Sequence, residues 1–247
     1  MKALVTGAAS GLGRALVERL VAEGAQVVAV DKDKVNPGAH VTPLTADLSD
    51  RQSVDRCIGE IGKYGPYDFV VHNAGISATG RFEEIPVSAY RKLLTVNSET
   101  PMVMTSALLR GGCLSARAHV VFVSSLSHLT GYPGACVYAA SKDALAVYAR
   151  SIRKGMARRK IHVMTVFPGP LRTVHAERHA PAGADAGRRM EPSVLADKIV
   201  SAAHKRRKVL YAGAPAKIGR LLGALMPQTT TRFMRRAIFE KLDHTVY

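Results

Sequence analysis

The stretch from Met1 to Asp31 constrains the fold more than any other part of the chain. Lys2-Ala3-Leu4-Val5 reads as a short buried strand and runs directly into Thr6-Gly7-Ala8-Ala9-Ser10-Gly11-Leu12-Gly13. A helical pattern then continues from Arg14 through Leu20 to Gly24. Strand, glycine turn and helix in that order make an anion site, because the helix N-terminus presents unpaired N–H groups and the positive end of its dipole. Gly7, Gly11 and Gly13 let the backbone come close to a pyrophosphate, with Ser10 and Leu12 in the same turn. A glycine turn alone also suits a plain tight βα connection. The next strand, Gln26 to Val30, argues for the anion site, since it ends on Asp31, 24 residues after Gly7. An acid at that place binds a ribose 2′-hydroxyl and repels a 2′-phosphate. NAD is therefore favoured over NADP, although Lys32 and Lys34 can bend toward a phosphate, so NADP is not excluded.

Alternation of strands and helices continues, which makes the fold class α/β. Val41 to Leu44 is a short edge strand that tolerates Pro43. It leads into Asp47-Leu48-Ser49, where Ser49 is the expected cap of a helix from Asp50 to Ile61. Phe69-Val70-Val71-His72 is a buried strand that ends in Asn73-Ala74-Gly75. Residues 86–110 read as one long helix with Asn97 in its middle, and a weak helix former at such a place calls for a reason.

Chemistry concentrates between Val120 and Lys142. The β-branched and aromatic run Val120-Val121-Phe122-Val123 reads as a buried parallel strand, and Ser124 and Ser125 follow it at once. After a loop broken by Gly131, Pro133 and Gly134, Tyr138 and Lys142 stand four apart and share one helix face. A tyrosine has a reference pKa of about 10 and is a poor base near neutral pH. An ammonium one turn away favours the tyrosinate and lowers that value. With the Ser125 hydroxyl holding a substrate oxygen against the phenol, the set is a proton-transfer site for an alcohol or a carbonyl.

Several separated motifs together resemble the short-chain dehydrogenase/reductase family in its single-domain form. Thr6, Gly7, Gly11 and Gly13 are similar to its cofactor turn, Asp47 and Leu48 to the segment beside the adenine, and Asn73-Ala74-Gly75 to the motif that steadies the central sheet. Asn97, Ser125, Tyr138 and Lys142 resemble its catalytic tetrad, and Pro168-Gly169 followed by Thr173 resembles the segment that covers the nicotinamide. His72 stands where the family more often has Asn. The resemblance extends from residue 1 to about 212 and implies a Rossmann-type doubly wound parallel sheet flanked by helices. It also implies an NAD(P)-dependent oxidoreductase that interconverts a secondary alcohol and a ketone. Lys142 would then also bond the nicotinamide ribose, and Asn97 would position a water linking Lys142 to solvent. Leu126, Ser127, His128, Tyr132, Pro170 and His175 are the expected substrate-lining residues. A homodimer or homotetramer built on the helix of Tyr138 is implied as well, with Leu145, Val147, Tyr148 and Ile152 suited either to that interface or to the core.

A chain of 247 residues is long enough for one large domain, expected over 1–247, with 215–247 as a basic amphipathic helical extension. The net charge of +16 is lopsided: residues 1–150 carry only +2 and residues 151–247 carry +14. No nucleic-acid motif accompanies the basic third and aromatic residues are scarce, so specific nucleic-acid binding is not expected. Cys57, Cys113 and Cys136 form no Cys-x-x-Cys pair, which fits a reducing, cytoplasmic setting. Cys136 reads as a small side chain in the pocket wall. His128, His175 and His179 lack paired acidic ligands, so no metal is expected. No signal peptide and no membrane-spanning run are read.

Within the extension, Ala216 to Met226 places Ile218, Leu221, Leu222, Leu225 and Met226 on one helical stripe that Pro227 ends. A second helix is expected from about Thr230, with Phe233, Ala237, Ile238 and Leu242 on one side and arginines flanking it. Such helices suit peripheral contact with an anionic membrane, or cover of the substrate cleft for an apolar or lipid-like alcohol. Packing on the domain's own surface or on a dimer partner is the plainer role. The function of another class that the sequence admits is a catalytically silent dinucleotide-binding sensor or scaffold.

Overall fold

The computed structural model describes residues 1–129, 132–179, 187, 189–213, 222–223, 225–237, 239–241 and 245–247. Seven strands form one sheet: β1 (Lys2–Thr6), β2 (Gln26–Asp31), β3 (Val41–Thr45), β4 (Tyr67–His72), β5 (Leu114–Val123), β6 (His162–Pro168) and β7 (Val209–Ala212). Their order is β3-β2-β1-β4-β5-β6-β7 and every pairing is parallel. The helices are α1 (Gly11–Ala22), α2 (Arg51–Gly62), α3 (Val87–Leu94), α4 (Thr100–Arg110), α5 (Cys136–Arg158), α6 (Val174–Arg178), α7 (Pro192–His204) and α8 (Pro227–Ala237). Because the chain leaves β1 in one direction along the sheet and returns beside it as β4, the loops after these two strands diverge and open a crevice.

Strand residues divide between the two faces with a period of two. Ala3, Val5, Val27, Ala29, Phe69, Val71, Val121, Val123, Met164 and Val166 join one core cluster with α1 and α7. Leu4, Val28, Val30, Val70, Val120, Phe122 and Val163 join the other with α2, α4 and α5. Both faces are apolar because helices cover both, which is why these strands read as continuous hydrophobic runs. A smaller third cluster, Ala78, Ile85, Ala89, Leu93 and Val137, lies against Ile76, Tyr90, Cys136 and Tyr138. On α5, Leu145 is core, Tyr148 and Ile152 pack on the second cluster, and Val147 faces outward.

Three expectations need correction. Asp50, not Ser49, caps α2: its carboxylate accepts from the Ser53 N–H at 2.8 Å, while the Ser49 hydroxyl turns back to Asp47 Oδ1 at 2.7 Å. The helical run over 86–110 is interrupted by a π turn at Thr95–Glu99. Pro101 accounts for it, since its ring would meet the Asn97 carbonyl in a regular α-helix and it has no N–H to donate there. Finally, the second helix of the extension begins at Pro227, three residues earlier than expected, and proline at a first helical position has the right φ already. Ile218 and Leu221 of the stripe expected over Ala216–Met226 lie outside the described residues, as do Ile238 and Leu242. Leu222, Leu225, Met226 and Phe233 are exposed. Among the described residues no helix is long and apolar enough to cross a membrane.

His72 is buried at the end of β4 and stacks on Phe122 at 5.1 Å. Its Nε2 lies 2.9 Å from Thr105 Oγ1, whose own proton goes to the Pro101 carbonyl, so the imidazole donates and its Nδ1 carries no proton. That Nδ1 has no partner among the described residues, and burial pulls the pKa to about 3. His119, with its Nδ1 3.1 Å from His162 Nδ1, is likewise pulled to about 4 by burial. An unfolded chain takes up these protons near the ordinary histidine pKa of about 6.5, whereas the folded chain does not. Stability should therefore be fully present above that pH and decline below it, by about 1.4 kcal/mol per pH unit for the fully buried His72 and by less for the part-exposed His119. His72→Asn keeps a donor for Thr105 and should flatten the decline, measured by urea unfolding at pH 7 and pH 5.

Candidate functional site

The crevice between the ends of β1 and β4 is held by side-chain to backbone bonds. Thr6 Oγ1 accepts from the Asn73 and Ala74 N–H groups, both at 3.1 Å. Asn73 Nδ2 donates back to the Thr6 and Gly7 carbonyls at 3.1 Å. These bonds tie the glycine turn to the neighbouring strand. Gly7 has φ +70°, and a Cβ on Gly13 would lie 1.7 Å from the Gly7 carbonyl oxygen, so only glycine lets α1 start so close to β1. Ser10 occupies the N-cap with extended backbone and makes no capping bond. Gly11 faces the Thr173 methyl, which a Cβ would approach to 3.1 Å. The backbone N–H groups at the start of α1 thus face the crevice with a partial positive charge, a cradle suited to a pyrophosphate.

Acids flank this cradle. The Asp31 carboxylate at the end of β2 accepts from the Ala9 N–H at 2.9 Å and the Asp33 N–H at 3.0 Å, which fixes it beside the turn. Asp47 accepts from the Ser49 hydroxyl and N–H, and those bonds lower its pKa. Buried Leu48 receives the Thr100 hydroxyl on its carbonyl at 2.9 Å. Pro168 ends β6 beside Ala212, Gly169 lies next to the Leu126 side chain, and Thr173 caps α6 by accepting from the Ala176 N–H at 3.1 Å. The residues expected to hold a dinucleotide lie at the ends of β1, β2, β3, β4 and β6 and in the segments that follow them.

The second half of the site gathers at the end of β5. Asn97 is fully buried: Oδ1 accepts from the Ile76 N–H, and Nδ2 donates to the Ile76 carbonyl and to Ser141 Oγ, each at 2.9 Å. Ser141 passes its proton to the Tyr138 carbonyl at 2.7 Å. Lys142 is 3 % exposed and donates to the Val123 carbonyl at 2.9 Å. Its ammonium lies 5.9 Å from the Tyr138 ring centre. Ser124 donates to the Lys142 carbonyl at 2.8 Å, anchoring α5 to β5. Ser125 stands beside the Tyr138 phenol, where it favours the tyrosinate, and accepts from the Ser127 N–H at 3.2 Å.

Electrostatics differ from the expectation in one respect. Burial raises the Tyr138 pKa above its ordinary value, and the bond from Ser125 pulls it only partly back. Lys142 is itself lowered to about 8 by burial. Desolvation is therefore the largest influence on both groups, and Ser125 favours the tyrosinate.

Among the expected substrate-lining residues, Leu126, Ser127 and Tyr132 sit beside Ser125 and Tyr138, and the Ser127 hydroxyl is buried without a partner among the described residues. His175 on α6 feels the Lys142 ammonium, and burial with that charge lowers its pKa. Pro170 is exposed, with its carbonyl accepting from the Met190 N–H. The His128 side chain lies outside the described residues. Sequence reasoning missed Ser141, whose only signal is its place one residue before Lys142, and Thr79, which lies 3.1 Å from His179.

A family profile described as short chain dehydrogenase matches residues 1–182. The chain is 31% identical over 231 residues to 1-deoxy-11-beta-hydroxypentalenate dehydrogenase of Streptomyces exfoliatus, covering 87% of this chain and 84% of that one. It is 30% identical over 187 residues to a 3-oxoacyl-[acyl-carrier-protein] reductase of Thermotoga maritima, covering 71% and 76%. A short chain dehydrogenase of Burkholderia cenocepacia, solved in complex with NADP, superposes with a TM-score of 0.79 at 23% identity, covering 94% of this chain and 96% of that one.

Gly75 supplies a direct check on the packing of the buried ammonium. A Cβ there would lie 3.0 Å from Lys142 Nζ and 3.3 Å from Asn97 Oδ1. Gly75→Ala should displace the lysine and cost about 1–3 kcal/mol of stability, the usual range for overpacking. Chemical unfolding of the variant against the wild type measures it.

Proposed function

Since the chain belongs to the short-chain dehydrogenase family, we propose that it interconverts a secondary alcohol and a ketone at the Ser125–Tyr138 pair, using NAD as the preferred dinucleotide. The observation that carries this reading is the placing of the Ser125 side chain beside the partly buried Tyr138 phenol, one helical turn from a buried ammonium. The bound nicotinamide supplies or accepts the hydride. Everything else is done by side chains and backbone of this chain.

In the oxidising direction Tyr138 takes the proton from the alcohol oxygen, and in the reducing direction it gives it to the carbonyl oxygen. Ser125 donates to that same oxygen as charge develops on it. Burial makes the phenol a reluctant acid when it stands alone, so a substrate oxygen bonded to both hydroxyls has to share the charge. Lys142 holds a ribose hydroxyl and keeps a positive charge one turn from the phenol. Asn97 locks the Ile76 backbone at 2.9 Å, holding the Gly75 loop beside the ammonium, and it would position a water linking Lys142 to solvent. The α1 N-terminus would hold the pyrophosphate, Asp47 and Leu48 would border the adenine, and Pro168, Gly169 and Thr173 would hold the nicotinamide and its carboxamide.

Asp31 sets the preference for NAD. Its carboxylate is fixed by two backbone N–H groups, so it cannot swing away from a 2′-phosphate, and like charge in a partly desolvated site is repulsive. Lys32 and Lys34 are exposed beside it and offer the only counterweight on that segment. Assembly as a cytoplasmic dimer or tetramer along α5, where Val147 is exposed, belongs to the same proposal. So does peripheral contact of 215–247 with anionic lipid, for which Phe233 exposed among Arg232, Arg235 and Arg236 is the supporting feature.

Fluorescence titration with both reduced cofactors should show tighter binding of NADH than of NADPH; the reverse order would mean that the lysines prevail. Tyr138→Phe should lower kcat by about 10²–10⁴-fold, the usual worth of a positioned proton donor, with the cofactor dissociation constant nearly unchanged. Lys142→Ala should damage both. A Tyr138→Phe enzyme with most of its activity would remove this mechanism.

A further inference from the structure

Next to the apolar cluster that packs on Tyr138, segments far apart in sequence are tied together. Thr79 and Val246 form an antiparallel bridge, each N–H donating to the other's carbonyl at 2.8 Å. Next to it the Thr245 hydroxyl donates to Glu84 Oε2 at 2.7 Å. Gly80 leaves room for that residue: a Cβ there would lie 2.4 Å from Thr245 Oγ1. The Gly80 N–H donates to the Gly134 carbonyl at 2.9 Å, and α8 packs on the same Pro133–Ala135 turn that leads into α5.

From Thr79 the connection continues inward. Its hydroxyl lies 3.1 Å from His179 Nδ1, the His179 ring lies 4.8 Å from that of His175, and His175 feels the Lys142 ammonium. The segment gripped by Val246 also carries Ala78 and Ile85, which are buried with Val137 in the apolar cluster against Tyr138. A shift of Thr79 would thus move both sides of the opening above the reactive phenol: the apolar side through Ala78 and the polar side through His179.

We propose that Thr245–Tyr247 is a specificity-determining wall of the substrate site. By clamping Thr79–Glu84 it sets the width of the opening between Tyr138 and α6, and so restricts the site to ketones and alcohols whose apolar substituent is compact. The inference rests on the oxidoreductase reading given above. Two backbone hydrogen bonds, a side-chain bond to a carboxylate and a glycine whose side-chain space is filled by Thr245 hold this segment in place. The residues it acts through touch the Tyr138 cluster on one side and the His175–His179 pair on the other.

Val246→Pro tests the clamp, because proline removes the N–H that donates to Thr79 and disfavours the present backbone freedom of Thr245. With reduced cofactor, the ratio of kcat/KM for a diaryl ketone to that for a short methyl ketone should rise about tenfold. The change should lie in KM more than in kcat, because Ser125 and Tyr138 are untouched. Acrylamide quenching of the bound reduced nicotinamide should strengthen, since the opening widens, while cofactor affinity stays within twofold. Thr245→Val, which removes only the bond to Glu84, should shift both readouts in the same direction by less, and it serves if the proline variant does not fold. Unchanged selectivity and unchanged quenching in a cofactor-binding variant would overturn the proposal. A wild-type protein that binds cofactor but reduces no ketone would overturn the oxidoreductase reading instead, and the quenching comparison would still decide whether Thr245–Tyr247 closes the cleft.

Discussion

The structure depends on keeping one ammonium inside the protein. Lys142 is almost wholly withdrawn from water, and a cation there persists only if polar groups replace its hydration. The Val123 carbonyl at the end of β5 is one such group. Gly75 supplies the space on the opposite side, since any side chain would press on the ammonium and on Asn97. Ser124 fastens the Lys142 backbone to β5, and Asn97 fastens the loop of Gly75 to the helix that follows. Four segments distant in sequence therefore meet around a single charge. Lowering of the Lys142 pKa to about 8 measures how incomplete the replacement of water is, and it gives this lysine an acidity unusual among lysines.

How far this arrangement could be read in advance follows from the range of the interactions. The β1–α1–β2 unit was legible because its signals are local: glycines where the backbone must come close, apolar periodicity, and an acid at a strand end. Ser125, Tyr138 and Lys142 were legible for the same reason, being carried on one strand end and one helix face. The π turn at Thr95–Glu99 was not, although Pro101 stands in plain view, because a proline in a helical pattern predicts a break as readily as a wide turn. Asn97 drew notice only as a poor helix former; its partners Ile76 and Ser141 are 21 and 44 residues away. Thr79–Val246 pairing leaves no sequence trace at all, since backbone N–H and carbonyl groups are the same at every position.

Desolvation also reverses a simple reading of the charges. A lysine four residues from a tyrosine suggests a tyrosinate, and that argument holds for groups in water. Inside the site both partners lose hydration, and each is driven toward its neutral form. What the geometry offers is a phenol whose proton affinity is raised and a lysine whose proton affinity is lowered, with Ser125 beside the phenol.

Sheet order has a consequence for how the molecule assembles. Strand β1 is the first to be made, yet it lies between β2 and β4, and the second of these neighbours comes more than sixty residues later: Ala3 pairs with Phe69. Parallel pairings of this separation carry a high loop-closure entropy and form late. The glycine turn takes its shape from Asn73, at the end of β4, so the phosphate cradle cannot exist before that docking is complete. A dinucleotide consequently has nothing to hold before β4 has docked. Added to a refolding mixture, it would leave the initial collapse alone and act only by mass action on the finished crevice, drawing the last equilibrium toward the native state.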